Sequence, residues 1–223
     1  MGATYFFRDN HTLRMLPSHV IPFILKERGD YGDINIWSAG CANGSEPYTI
    51  ALILKETLDA DIFNRTNIYA TDIDPNFRFR EIVSRGSYHG DAVKKIPVET
   101  FQRYFTKDPE VPGNYLISDN IREHVMYMWH DLNSMNPPVN KEFDIIICKN
   151  VLLHFRKEDS IDIIRMFYRT LRREGFLITE QTQKIPSGME GMFRQFIGSV
   201  QIHRKISPLF AVEEKTDSEK YSL

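Results

Sequence analysis

Ile34-Asn35-Ile36-Trp37-Ser38-Ala39 runs directly into Gly40-Cys41-Ala42-Asn43-Gly44-Ser45-Glu46, and the reading of this stretch decides the fold. The first six residues are rich in β-branched and aromatic side chains and read as a strand. After the small residues, Glu46 to Leu58 reads as a helix with Ile50, Ile53, Leu54 and Leu58 on one face. Pro47 is tolerated because a first-turn N–H has no helical partner to lose. A strand that turns straight into a helix through Gly40, Ala42 and Gly44 lets backbone approach a ligand closely.

Working outward, the alternation continues. Asn67-Ile68-Tyr69-Ala70-Thr71 reads as a second strand ending in Asp72-Ile73-Asp74-Pro75, and Phe77 to Val83 as a helix closed by Arg85-Gly86. Phe143-Asp144-Ile145-Ile146-Ile147-Cys148 is a nearly continuous apolar run, suited to a strand buried on both faces. Residues 158–173 read as a helix with Ile161, Ile164, Tyr168 and Leu171 at helical spacing, followed by the strand Phe176-Leu177-Ile178-Thr179. This spacing predicts an α/β domain over 31–212 with a mainly parallel, doubly wound sheet. Residues 1–30 read as a helical lead-in, with Phe6, Phe7, Leu13, Leu16, Val20, Phe23, Ile24 and Leu25 near helical spacing and Gly29 as its stop. The stretch 87–128 changes character. Pro97, Pro109, Pro112 and Gly113 interrupt it, while Tyr115-Leu116-Ile117 and His124 to Trp129 have strand composition, so it reads as a small, partly antiparallel β insert. A last strand pair falls around 200–213, and 213–223 reads as a charged, flexible tail.

The totals fit one sizeable domain with a small insert: 223 residues, 42% apolar, with 15 Phe and 10 Tyr to fill a core. A formal net charge of −2 points neither to nucleic acid nor to an anionic membrane surface. No stretch reaches the length of a membrane span. Cys41 and Cys148 give no disulfide framework and no metal-ligand spacing, so a reducing cytoplasm is the simpler reading.

In such sheets ligands bind beyond the carboxyl ends of the strands, so the residues to weigh are those at strand ends. The loop Gly40 to Gly44 has neither G-x-G-x-x-G spacing nor the Lys-Ser/Thr pair of a phosphate site, which argues against a dinucleotide oxidoreductase. Glu46 would repel a pyrophosphate but suits an ammonium, such as that on the methionine end of S-adenosylmethionine. The plainer alternative is a tight turn with Glu46 favoured by the helix dipole. Asp72 can accept both hydroxyls of a ribose, and Asp74 can cap the next helix through Pro75 and Asn76. Asn150 offers donor and acceptor to a cofactor's amino-acid part or to an incoming carboxyl. His154 is either a general base or a packing residue beside Phe155. His130-Asp131-Leu132 either reaches an adenine edge or forms a surface turn. Arg78, Arg80, Arg85, Lys94 and Lys95 make a docking patch or a solvated face, and Arg165, Arg169, Arg172 and Arg173 read as the exposed side of the late helix.

Together these residues resemble the catalytic domain of the chemotaxis receptor methyltransferases, the CheR family. The likeness runs from about Thr4 to Glu180. It rests on Thr4-x-Phe6-Phe7-Arg8, Trp37-Ser38-Ala39-Gly40-Cys41, Gly44-x-Glu46-Pro47-Tyr48, Ala70-Thr71-Asp72-Ile73-Asp74, Tyr104-Phe105, and Asn150-Val151-Leu152 with Phe155. The resemblance implies a Rossmann-like, class I S-adenosylmethionine-dependent methyltransferase fold. It further implies conversion of chemoreceptor glutamates to methyl esters, with S-adenosylhomocysteine as product. It places Thr4, Arg8, Ala39, Gly40, Cys41, Gly44, Glu46, Asp72, Ile73, Asp131, Leu132, Asn150 and Val151 in the cofactor site, Glu46 on the amino-acid part, Asp72 on the ribose and Asp131-Leu132 at the adenine. Arg8, Asn150 and His154 are the candidate catalytic residues, Arg8 to steer an acceptor carboxylate and Asn150 or His154 to orient it, and no metal is expected. The implied partner is a cytoplasmic helix of a chemoreceptor, with no nucleic acid and no membrane insertion. The insert at 87–128 looks like the family's small β-subdomain, a receptor tether in some members.

The sequence departs from the family pattern at several points. Ser45-Glu46-Pro47 stands for the usual Glu-Glu-Pro, Lys149-Asn150 for Arg-Asn, His154 for a Tyr near the methyl group, and Gly2 for a common Asn. The family's helical amino-terminal domain is not among these 223 residues. These departures keep two other readings open: a methyltransferase acting outside chemotaxis, and a non-catalytic module that binds the cofactor or its product.

Overall fold

Every residue of the apolar run Phe143–Cys148 is buried, and so is every residue of Ile34–Ala39. Burial on both faces requires the middle of a sheet covered by helices on either side. The computed structural model describes residues 4–29, 32–74, 77–189 and 191–206. Its first elements are α1 (Asn10–Met15), α2 (Ile21–Arg28), β1 (Ile34–Ala39), α3 (Ser45–Thr57), α4 (Ala60–Asn64), β2 (Thr66–Asp72) and α5 (Arg78–Arg85). Then come β3 (Ser87–His89), α6 (Gly90–Val93), α7 (Val98–Tyr104), β4 (Phe105–Lys107), β5 (Asn114–Ile117), α8 (Asp119–Arg122) and β6 (Val125–Trp129). The chain continues through β7 (Phe143–Cys148), α9 (Lys157–Thr170), β8 (Leu171–Thr179), β9 (Phe193–Ile197) and β10 (Ile202–Lys205).

A seven-stranded sheet has the order β6-β2-β1-β7-β8-β10-β9. Its strands from β6 to β8 pair in parallel, and β10 is antiparallel to both β8 and β9. The chain leaves β1 outward through β2 to β6, then crosses back to β7. Strand order therefore reverses between β1 and β7, where a crevice opens beyond the carboxyl ends.

One face of the sheet is covered by the lead-in and α3, with Phe6, Leu16, Ile21, Ile50 and Leu54 in one buried cluster. The other is covered by α9, with Ile163, Ile164 and Phe167 packed around Trp37 and Phe143. Pro17 explains why the lead-in is broken. It opens a wider-wound turn, Leu16–Val20, between α1 and α2, since its ring carries no N–H for a continuous helix.

The stretch 87–128 divides in two. Its first part forms a separate antiparallel sheet, β3-β5-β4, while Val125–Trp129 runs parallel to β2 as an edge strand of the large sheet. Strand composition is the same in both cases, and only the partner differs. The helix before β8 ends at Thr170, so Arg172 and Arg173 are strand residues rather than part of a helix face. The last strand pair falls at Phe193–Ile197 and Ile202–Lys205, earlier than the sequence suggests. Residues 207–223, which include the tail expected at 213–223, lie outside the described residues, as do Gly2, Pro75 and Asn76.

The base of the sheet is fixed by one acid inside the apolar run. Asp144 accepts from Arg28 at 2.8 Å and from the Asn35 N–H at 2.8 Å, with Arg172 at 3.8 Å. Burial raises its carboxyl above the ordinary value, and these donors oppose that rise. Removing the carboxylate strands two cations and a buried N–H. Asp144→Ala is expected to lower the unfolding free energy in urea by about 3 kcal/mol, and a loss below about 1 kcal/mol contradicts the cluster's role.

Candidate cofactor site

The loop after β1 is tied to the end of β2 through backbone. The N–H groups of Gly40 and Cys41 both donate to the Thr71 carbonyl, at 2.8 and 2.9 Å. Gly40 has φ +85°, and a Cβ there would stand 2.2 Å from Val151 Cγ2. Glycine is thus required both by the left-handed backbone and by the contact. The turned loop aims the Ala42 N–H at Asp72 Oδ2, 2.9 Å away, while Asp72 Oδ1 accepts the Asp74 N–H at 3.2 Å. Each oxygen keeps a second lone pair, so the carboxylate is oriented and still able to accept two hydroxyls.

Asp74 is spent elsewhere. Its two oxygens accept the N–H groups of Phe79 and Arg80, each at 3.0 Å, at the start of α5. Burial raises its carboxyl, but these bonds outweigh burial and hold it below the ordinary value.

Glu46 lies in the first turn of α3, where its Oε1 accepts the Ser38 hydroxyl at 2.8 Å. Burial raises its carboxyl to about 7, against the opposing pull of Ser38, Lys149 and Arg8. Such a carboxylate is under-compensated, and a ligand ammonium would supply the missing positive charge.

The lead-in delivers Arg8 to the same crevice. Phe6 is fully buried, edge-on to Tyr88 at 4.9 Å and to Phe105 at 6.0 Å. The Phe7 N–H donates to Thr49 Oγ1 at 3.0 Å, and the Thr49 hydroxyl donates to the Ser45 carbonyl at 2.6 Å. Anchored on both sides, the chain places Arg8 Nη2 2.9 Å from Asn150 Oδ1, to which it donates. Asn150 holds φ +59°, a left-handed geometry that Asn tolerates better than most residues.

The remaining candidates fall in different settings. Ile73 is 52% exposed beside Asp72, an apolar surface at the rim. Cys41 and Cys148 are buried free thiols, pushed up by burial, which makes them packing groups rather than nucleophiles. The His130 N–H donates to the Asp72 carbonyl at 3.0 Å and draws the end of β6 toward the site. Asp131 Oδ1 accepts the backbone and side-chain N–H groups of Asn133, at 2.9 and 3.0 Å, and Leu132 is buried in the cluster around Trp37. Those bonds are the ones a turn requires. His154 closes the short turn Leu152–His154, with an exposed side chain that makes no hydrogen bond among the described residues. Thr4 is half-buried where the described chain begins. Several of the basic residues are engaged locally: Arg85 with Asp108 at 2.9 Å, Lys94 with Asp91 at 2.5 Å, and Lys95 over the Tyr5 ring at 3.5 Å.

Two features escape the sequence reading. Ser38 orients Glu46, and Lys149, where the family pattern has Arg, has a side chain 3% exposed with Nζ 3.7 Å from Asp9. The available signal was a lysine directly after an apolar strand, an unusual place for an uncompensated charge. A cleft of about 370 Å³ lined by Met135, Asn140 and Arg169 opens near the start of β7, at the opposite end of the strands from these residues.

The strand order, the glycine turn after β1 and the acid ending β2 define a class I S-adenosylmethionine-dependent methyltransferase domain. Residues 2–202 match the model of the CheR methyltransferase, SAM binding domain. The chain belongs to that family. It is 30% identical to a probable chemotaxis protein methyltransferase of Rhizobium etli, over 85% of this chain and 70% of that one. Identity is 32% to the chemotaxis protein methyltransferase Cher2 of Pseudomonas putida, over 79% of this chain and 63% of that one. For the chemotaxis protein methyltransferase of Borreliella burgdorferi it is 27%, over 82% and 64%. The chain thus spans about two thirds of the length of these relatives. The cofactor of this domain is S-adenosylmethionine, and the under-compensated Glu46, the two-acceptor Asp72 and the glycine cradle are chemically suited to it.

Gly40→Ala tests the cradle. It is expected to cost about 2 kcal/mol of stability, because the new methyl overlaps Val151 and the backbone is left-handed. Cofactor binding should weaken in calorimetric titration, and a variant that melts and binds like the parent contradicts the close approach.

Proposed function

We propose that this domain transfers a methyl group from S-adenosylmethionine to a glutamate side chain on a cytoplasmic helix of a chemoreceptor, giving a methyl ester. The observation that carries the reading is the convergence of Glu46, Asp72 and Asn150 around the ends of three adjacent strands, with Arg8 bonded to Asn150. The acceptor class is supported by the relatives, which are named chemotaxis methyltransferases. A cytoplasmic setting fits two buried, unpaired cysteines.

When bound, the cofactor supplies an electrophilic methyl on a positively charged sulfur. Glu46 takes the ammonium of its amino-acid part, with Ser38 holding the carboxylate in place. Asp72 accepts the ribose hydroxyls, and Ile73 and Asp131 border the base. An ionised carboxylate acceptor is already a nucleophile at neutral pH. The chain therefore contributes mainly alignment and exclusion of water. Arg8 steers the acceptor carboxylate, Asn150 orients it, and no general base is assigned.

Glu46 gives the reading a pH signature. With its carboxyl near 7 in the free domain, binding an ammonium below that pH must first expel a proton. Affinity for S-adenosylmethionine is expected to fall as pH drops from 7 to 5.5, approaching tenfold per unit. Glu46→Gln should bind more weakly and show no such slope in calorimetry. A slope that persists in the variant places the titrating group elsewhere.

The acceptor is tested by incubating the domain with methyl-labelled cofactor and receptor helix fragments. Base-labile label and an unchanged pH–rate profile in His154→Phe are expected. Base-stable label, or a near-neutral dependence lost in that variant, would point to an amine or phenol acceptor with His154 as its base.

A further inference from the structure

Two adjacent residues of the lead-in face two adjacent residues after β7. Arg8 donates to Asn150 at 2.9 Å, and Asp9 Oδ2 stands 3.7 Å from Lys149 Nζ. Asp9 also lies 4.0 Å from the Arg8 Nε, so one carboxylate braces both cations. Phe7, Asp9 and Asn150 all hold left-handed backbone, at φ +58°, +56° and +59°. Such backbone at non-glycine residues persists only where surrounding contacts over-determine it.

Lys149 is the demanding member of the set. Its side chain is 3% exposed against 34% for Asp9, and an ammonium so enclosed needs an anion. Two acids act on it: Asp9 from the lead-in and Glu46 from α3. Glu46 is the acid that the ligand's ammonium requires. Asp9 therefore decides whether Lys149 is satisfied by the lead-in or competes for Glu46.

We propose that Asp9 and Lys149 are positioning residues whose ion pair clasps the lead-in to the end of β7, sets Arg8 on Asn150 and leaves Glu46 to the cofactor. The identity of the ligand rests on the methyltransferase reading, whereas the clasp is a property of the ligand-free chain.

Two measurements test it: calorimetric titration with S-adenosylmethionine, and hydrogen exchange at the Phe7 amide, which is bonded to Thr49. Asp9→Asn keeps the shape and removes the charge. It should speed Phe7 exchange in the ligand-free protein and weaken cofactor binding about tenfold. Lys149→Met should weaken binding similarly, and the double variant no more than the worse single one, because one interaction is lost only once. Lys149→Arg reaches the same carboxylate and should stay within about twofold of the parent. Unchanged affinity in Asp9→Asn overturns the proposal, as do losses that multiply in the double variant. A lowered Tm with parental affinity does the same, since it marks the pair as structural only. If the parent itself fails to bind the cofactor, the methyltransferase reading falls, and the Phe7 exchange of Asp9→Asn still decides the clasp: faster exchange upholds it and unchanged exchange refutes it.

Discussion

Gly40 in left-handed backbone, pressed against Val151, is the constraint on which the rest of the site depends. Only a residue without a Cβ lets the chain leave β1, touch the end of β7 and turn back over the Thr71 carbonyl of β2. That turn points the Ala42 N–H at Asp72 and starts α3 with Glu46 under the crevice. Three strand ends are thereby referenced to one α-carbon. Strand order reverses at the same point, so the topology that opens a crevice and the residue that lines it coincide.

Around this turn the chain distributes charge sparingly. Asp9 and Lys149 form a pair, Arg8 is held by an amide, and Asp74 is consumed by backbone N–H groups. Glu46 alone is left short of positive charge, with burial lifting its carboxyl from 4.5 to about 7. The native chain then binds this proton more tightly than the unfolded chain, so ligand-free stability declines as pH rises through that window. A bound ammonium reverses the sign by favouring the ionised form.

Much of the frame was legible because it rests on local pattern. The apolar run at Phe143 and the small-residue turn after Ala39 are visible within a dozen residues each, and they fix a buried strand and a ligand loop. What stayed hidden depends on partners far along the chain. Asp144 lies within a nearly continuous apolar run, and nothing local says that it binds Arg28 and the Asn35 N–H. Arg172 read as a helix-face cation and instead lies in β8 near that acid. Val125–Trp129 had the composition of a strand, but nothing local could say that its neighbour is β2 rather than the small sheet. Lys149 and Asp9 meet only because the lead-in folds back over β7. The acids Glu46 and Asp72 were easier to find because each directly follows a secondary-structure signal.

The small sheet also packs against the loop after β1. Tyr88, on β3, donates its hydroxyl to the Asn43 carbonyl at 2.7 Å and receives Phe6 edge-on against its ring. One buried phenol therefore touches the cofactor loop on one side and the segment that carries Arg8 on the other. A Cβ at Gly44 would stand 2.6 Å from Val83 Cγ2 and 2.8 Å from the same hydroxyl, so only glycine lets the loop pass this close to Tyr88. Direct displacement at a methyl group tolerates little misalignment of donor and acceptor. For the proposed carboxylate acceptor, a shared contact between the small sheet, the loop after β1 and the lead-in would meet that demand through packing, without the acid–base apparatus that a poorer nucleophile requires.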